Sequence, residues 1–216
     1  MDQLAWSQTT DPYIKGTSRV AVIAEVDVKV LDTSSGKVVS RIPVLQGEVL
    51  TCNSKCQLLI DRDRPFPGYL QLLDGTTLVW QKQGLFGSRG FPEHRSGAFS
   101  PKEQFLVVSA EYFTLVLDPE TGNTLRKLDV SFFDPRCCMF ISDDTYVVSG
   151  KESTVRLFNV KSGELLTEID VEIDVTCLAA CPFNRVLAIG LRNSTRNFKV
   201  IRVHLPRGED RGNMER

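Results

Sequence analysis

Five times along this chain a short apolar run closes on an Asp-like residue, and the recurrences are nearly evenly spaced. The runs end at Leu31-Asp32, Leu73-Asp74, Leu117-Asp118, Phe158-Asn159 and Val203-His204, in steps of 42, 44, 41 and 45 residues. Self-similarity at a fixed step of this size means that one supersecondary unit is used repeatedly, each copy burying its apolar face against the next. A step of about 40–45 residues is the length of four short strands with their turns.

The fourth repeat shows the unit most fully. Its strands, a to d, read Cys137 to Ser142, Thr145 to Ser149, Thr154 to Val160 and Glu164 to Asp170, separated by Asp143-Asp144, by Gly150 to Ser153 and by Lys161-Ser162-Gly163. Polar and glycine-containing breaks between apolar runs of this length are strand punctuation. Strand b is an unbroken apolar run wherever it is clear: Val20 to Ile23, Leu106 to Val108, Tyr146 to Val148 and Val186 to Ile189. Such runs fit strands covered on both faces. Helical periodicity is absent, so the chain reads as all-β, a β-propeller of about five blades of four antiparallel strands.

The turn after strand c recurs with its chemistry intact. Asp32-Thr33-Ser34-Ser35-Gly36, Asp118-Pro119-Glu120-Thr121-Gly122 and Asn159-Val160-Lys161-Ser162-Gly163 each place Gly four residues past an Asp or Asn. Glycine tolerates the positive φ that closes a hairpin after a type I turn. A turn repeated in several blades is architecture before it is a site.

The residues Val147-Val148-Ser149-Gly150, Ser153 to Val160 and Ser162-Gly163 resemble the WD-repeat (WD40) β-propeller family, with Phe158 where that family usually has Trp and Asn159 where it usually has Asp. The first and third repeats keep the turn after strand c. The second replaces it with Asp74-Gly75-Thr76 and the fifth ends at Val203-His204-Leu205. The family's Gly-His pair is missing, and Lys151-Glu152 stand where an Asp would brace the b-to-c turn. The family's Asp-His-Ser/Thr-Trp network therefore does not carry over, and blade cohesion is expected to rest on packing more than on buried polar bonds.

Residues 1–206 read as the propeller, with blades at about 8–44, 45–85, 95–130, 137–170 and 175–204, and 207–216 as a disordered tail. The fifth blade has no outer strand of its own. Two arrangements answer this: Asp2 to Trp6 (within residues 1–7) supplies the closing strand, or the chain is part of a larger propeller whose open edge would otherwise expose unpaired backbone.

Composition adds exclusions. Apolar residues make up 42% of the chain, enough for a core, and 26 basic against 27 acidic residues leave a net charge of -1. No strongly charged partner is implied. The longest mostly apolar stretch, Cys177 to Leu191, is broken by Pro182, Asn184 and Arg185 and is shorter than the roughly 20 residues of a membrane helix. Met1 to Thr10 lack the pattern of a signal peptide. The expected location is cytoplasmic, where six cysteines in 216 residues are expected as free thiols.

Two long segments beside the second repeat carry the partner-binding expectation. Asp61-Arg62-Asp63-Arg64-Pro65-Phe66-Pro67-Gly68 connects strands b and c, and Gln81 to Arg95 connects strand d to the next strand a. Because successive strands alternate in direction, both connections leave the same face. Arg62, Arg64, Phe66, Phe86, Arg89, Phe91 and Arg95 combine large area with directional donors, the composition of interface hot spots. The expected partner is another protein, presenting an acidic peptide segment. The plainer alternative is an insertion whose three Phe side chains fold back on the blade.

Enzymatic readings have little to stand on. His94 and His204 are the two histidines, and neither sits in a metal or nucleophile motif. Cys52/Cys56 and Cys177/Cys181 share a spacing, but matching places in two repeats argue for core packing over zinc. Gly84 to Gly90 is glycine-rich without the Lys or helix of a phosphate cradle, and Asn193-Ser194-Thr195 matters only in a secreted protein. No catalytic residue, metal or cofactor is expected, with a propeller hydrolase or quinoprotein as the rival class. Interspersed charges, as in Arg207 to Arg211, provide no nucleic-acid stripe. The degenerate blades over residues 105–204 also resemble the C-terminal WD region of NACHT and WD-repeat proteins. That resemblance implies a regulatory or sensor domain beside other domains of a larger parent chain.

Overall fold

Alternating and unbroken Val/Leu/Ile runs form only strands here. The computed structural model describes residues 13–14, 19–23, 27–43, 48–62, 68–85, 95–110, 113–130, 135–150, 153–171, 174–181, 186–192 and 198–203. Sheet 1 contains β1 (Tyr13–Ile14), β2 (Arg19–Ile23), β3 (Asp27–Asp32) and β4 (Val38–Pro43). Sheet 2 contains β5 (Glu48–Cys52), β6 (Gln57–Arg62), β7 (Tyr69–Asp74) and β8 (Thr77–Gln83). Sheet 3 contains β9 (Arg95–Phe99), β10 (Leu106–Ala110), β11 (Phe113–Leu117) and β12 (Thr124–Asp129). Sheet 4 contains β13 (Pro135–Phe140), β14 (Thr145–Gly150), β15 (Thr154–Asn159) and β16 (Leu165–Asp170). Sheet 5 contains β17 (Val175–Cys181), β18 (Val186–Leu191) and β19 (Phe198–Arg202).

Each sheet is an antiparallel meander in chain order. Their first strands stand side by side, β5 against β9, β9 against β13 and β13 against β17. The cores lie between successive sheets. Val28, Val30 and Ile42 meet Val49, Leu58 and Ile60; Leu59, Leu70 and Leu72 meet Leu106, Val108 and Leu115. Val107, Val116 and Leu128 meet Phe140, Tyr146 and Phe158; Val147, Val155 and Leu157 meet Val175, Leu187 and Ile189. Val107 thus packs forward and Val108 backward, which is why strand b carries no polar alternation.

The turns after β3, β11 and β15 are copies. Gly36, Gly122 and Gly163 donate their N–H to Asp32 O, Asp118 O and Asn159 O, each at 2.8 Å. The side chains of Asp32, Asp118 and Asn159 accept from the backbone two and three residues on. One residue of the outer strand is looped out in each copy, Val39, Leu125 and Leu166, opposite Val30/Leu31, Val116/Leu117 and Leu157/Phe158.

Register moves the fifth recurrence. Leu187 pairs with Ile201 and Ala188 with Val200, as Tyr146 pairs with Phe158 and Val147 with Leu157. Ile201-Arg202, not Val203-His204, therefore occupies the place of Phe158-Asn159. Val203 falls where Val160 does, and both are buried against the preceding sheet.

Cohesion between sheets is not packing alone. Between sheets 3 and 4 the Tyr146 hydroxyl donates to Thr114 Oγ1 at 2.9 Å, and the Thr114 and Ser109 hydroxyls are hydrogen-bonded at 2.7 Å, with either able to donate. The N–H of Cys138 donates to Ser96 Oγ at 3.0 Å. All five residues are buried, so buried polar bonds add to the packing at this interface. Burial pushes the Tyr146 hydroxyl and the Cys138 thiol up from their ordinary values. Outer strands also clasp the next turn: Trp80 Nε1 donates to Pro119 O at 2.9 Å while its ring covers Gly122. Arg126, at the same register position in sheet 3, lies over Gly163.

Candidate partner-binding surface

The chain has two rims, and hydrogen bonding distinguishes them. On the first rim the a-to-b turns are linked in series. Glu103 Oε1 accepts from Ser54 N at 2.6 Å, and Asp143 accepts from Lys102 N at 2.8 Å and from its Nζ at 3.0 Å. Ser100 Oγ and Asn53 Oδ1 close their own turns on backbone N–H groups. Polar groups on this rim are occupied by the turns themselves, leaving a braced surface.

The second rim carries the long connections. Arg62 pairs with Tyr69 and Tyr69 with Gln83, so both leave the same end of sheet 2. Gly84 N–H donates to Gly68 O at 3.4 Å, tying the two roots together. The loops are shorter than the sequence expectation because pairing continues past the apolar stretch. Asp61 and Arg62 belong to β6, Gln81 to Gln83 belong to β8, and Arg95 opens β9 opposite Ala110.

Arg62 is the one patch residue whose side chain is described. It is half-buried, and its Nε donates to Gln71 Oε1 at 2.8 Å; Gln71 Nε2 in turn donates to Gln81 Oε1 at 2.8 Å. A polar ladder across three strands thus holds the guanidinium at the loop root, a role the sequence reading missed. The available signal was the alternation of Gln71 with Leu70 and Leu72. Arg64, Phe66, Phe86, Arg89 and Phe91 lie outside the described residues, as do His94, His204, Lys151, Glu152, Asp2 to Trp6 and residues 207–216.

The cysteines are free thiols. Cys52 and Cys56 pack at the margin of the core between sheets 1 and 2. Cys137 is buried, and that burial, with Cys138 and Cys177 nearby, pushes its thiol up to about 12. Cys177 corrects the core expectation: it is exposed, because the forward face of sheet 5 has no described element against it. Among the described residues no group of three or more His, Cys, Asp or Glu side chains is placed to hold a metal.

Five consecutive antiparallel meanders, first strands together and outer strands at the periphery, define a WD40-like β-propeller. No family model and no curated protein matches the sequence. By structure the chain is similar to one in the crystal structure of the mitotic checkpoint complex, with a TM-score of 0.65 at 13% identity. The match covers 85% of this chain and 58% of that one. The likeness carries the fold, and none of the comparisons links the chain to NACHT and WD-repeat proteins.

Proposed function

We propose that this propeller is a non-catalytic platform for protein partners in the cytoplasm, acting as a scaffold or regulatory module within a larger assembly. Its docking surface is the pair of connections rooted at Arg62–Gly68 and Gly84–Arg95, and it takes an acidic peptide segment. The observation that supports this reading is the joined root, where the Gly84-to-Gly68 bond and the Arg62–Gln71–Gln81 ladder tie together the strand ends from which the two Arg- and Phe-containing connections leave. Arginine recognises carboxylates through paired, charge-assisted hydrogen bonds. The similar chain in the mitotic checkpoint complex is itself in a protein assembly, which supports the platform reading.

The test uses immobilised Asp/Glu-rich peptides and the purified chain. Arg64→Ala with Arg89→Ala is expected to weaken the selected binders at least roughly tenfold, whereas Lys37→Ala on the opposite rim leaves them unchanged. Equal binding by the double variant would overturn the reading. Arg62→Ala is a poorer probe, because it also breaks the bond to Gln71.

A further inference from the structure

The forward face of sheet 5 is built like a blade interface, and among the described residues no element packs on it. Two register positions on strand c face the next sheet in every blade, occupied by Val28/Val30, Leu70/Leu72, Thr114/Val116 and Val155/Leu157. All eight residues are at most 2% exposed. In sheet 5 the same positions hold Phe198 and Val200, opposite Gly190 and Ala188, and these are 67% and 58% exposed.

The first strand repeats the contrast. Ser96 reaches forward to the Cys138 N–H, and Cys137 Sγ reaches forward to Thr176 O. Cys177, at the equivalent place, pairs with Gly190; its sulfur occupies the space a Cβ on Gly190 would need, which puts it on the same face as Phe198. Among the described residues β19 also has no outer strand beside it of the kind that flanks β3, β7, β11 and β15.

We infer that this face binds a further four-stranded sheet of the same ring, supplied by polypeptide outside the 216 residues. Two facts choose that occupant. The four existing interfaces are all sheet-on-sheet contacts through these same positions, so the face continues an established geometry. The chain similar in structure also extends well beyond the matched part, which is 58% of its length. A lone strand does not suffice: strands are spaced about 4.8 Å apart, so one added beside β19 would leave Cys177, two strands further in on β17, uncovered. The apolar position on the arriving sheet would be the one that Leu58, Leu106, Tyr146 and Leu187 fill elsewhere.

Cys177 provides the readout. Maleimide labelling followed by mass spectrometry is run on the purified 216-residue chain and on the protein in native extract of its own cells. Cys137 and Cys138 serve as buried controls and Cys177→Ser as the blank. The expected result is fast labelling of Cys177 in the purified chain and labelling at least roughly tenfold slower in the native extract, persisting on dilution. Val200→Asp should abolish that protection. Three outcomes would overturn the inference: equal labelling in both samples; protection in the purified chain that grows with its concentration, which assigns the face to a second copy; or amide-exchange protection along β19 without protection of Cys177, which assigns it to a single strand.

Discussion

In the fourth sheet Val155 and Leu157 are fully buried, while in the fifth Phe198 and Val200 hold the same register positions and stand mostly in solvent. The backbones of the two sheets pair alike, Ser149 with Val155 as Gly190 with Phe198. What differs is the neighbour. A propeller blade contributes half of each interface it shares, so pairing fixes where a side chain points and only the next sheet decides whether that side chain belongs to a core.

Charge insertion should break this comparison hardest. Leu157→Asp places a carboxylate among Val147, Val155 and Leu187 and is expected to cost more than about 4 kcal/mol, enough to prevent folding. Val200→Asp, at the equivalent position, should change stability by less than about 0.5 kcal/mol in the purified chain. Urea denaturation measures both. A large loss from Val200→Asp would show that the fifth sheet's face is covered from within the chain.

How far the sequence revealed this is uneven, for physical reasons. The recurrent Asp/Asn-to-Gly turns and the apolar b strands were legible because their causes are local: a side chain capping its own turn, and two faces each needing an aliphatic residue. The Ser109–Thr114–Tyr146 chain was not, since Tyr146 meets a partner 32 residues away and a single Tyr at the start of a strand reads as another apolar residue. The loop roots were overdrawn because Asp61, Arg62 and Gln81 to Gln83 pair within sheet 2 without an apolar pattern to mark them. That the roots of the two connections share one end of sheet 2 was legible from strand alternation, but the Gln71 support under Arg62 was not.

A second contrast of coverage lies in the turns. Gly36 and Gly122 share a φ of 67° and the same hydrogen bonds, but a Cβ on Gly36 meets open space whereas one on Gly122 would lie 2.7 Å from the Trp80 ring. Gly36→Ala should cost about 1 kcal/mol, the left-handed strain alone. Gly122→Ala should cost about 2–4 kcal/mol, strain plus displacement of Trp80. Intrinsic Trp fluorescence should shift for the second variant alone. Equal losses would mean that the clasp between sheets 2 and 3 contributes nothing.

The buried polar chain sharpens the comparison from the other side. Leu187 in sheet 5 stands where Tyr146 stands in sheet 4, facing backward in both. Tyr146→Phe removes one hydroxyl and leaves Thr114 bonded to Ser109, so the expected loss is about 1 kcal/mol. Tyr146→Leu, the residue sheet 5 uses, should lose more, because the stacked contact of the ring with Phe158, centroids 5.5 Å apart, goes with it. If both variants were equally stable, the ring would be irrelevant and the hydroxyl would carry the interface.

The smallest effect belongs to the turn after β3. Asp32 accepts the Ser34 hydroxyl at 2.5 Å, the Ser35 N–H at 2.9 Å and the Ser35 hydroxyl at 2.9 Å. These bonds, the Ser34 hydroxyl foremost, hold its carboxyl well below the usual carboxylate range. The folded-state value is thus lower than the unfolded one, near 3.9. The stabilisation this implies is complete above roughly pH 4 and is lost as pH falls through the folded value. An NMR titration of the Asp32 side-chain carboxyl should find a midpoint below the ordinary range in the native chain. Ser34→Ala with Ser35→Ala should return it toward that range by removing two donors, while the Ser35 N–H keeps part of the shift. An ordinary midpoint in the unmodified chain would mean that the exposed carboxylate is solvated by water in preference to its own turn. The repeated Asp/Asn at this position would then be explained by backbone geometry without the side-chain bonds.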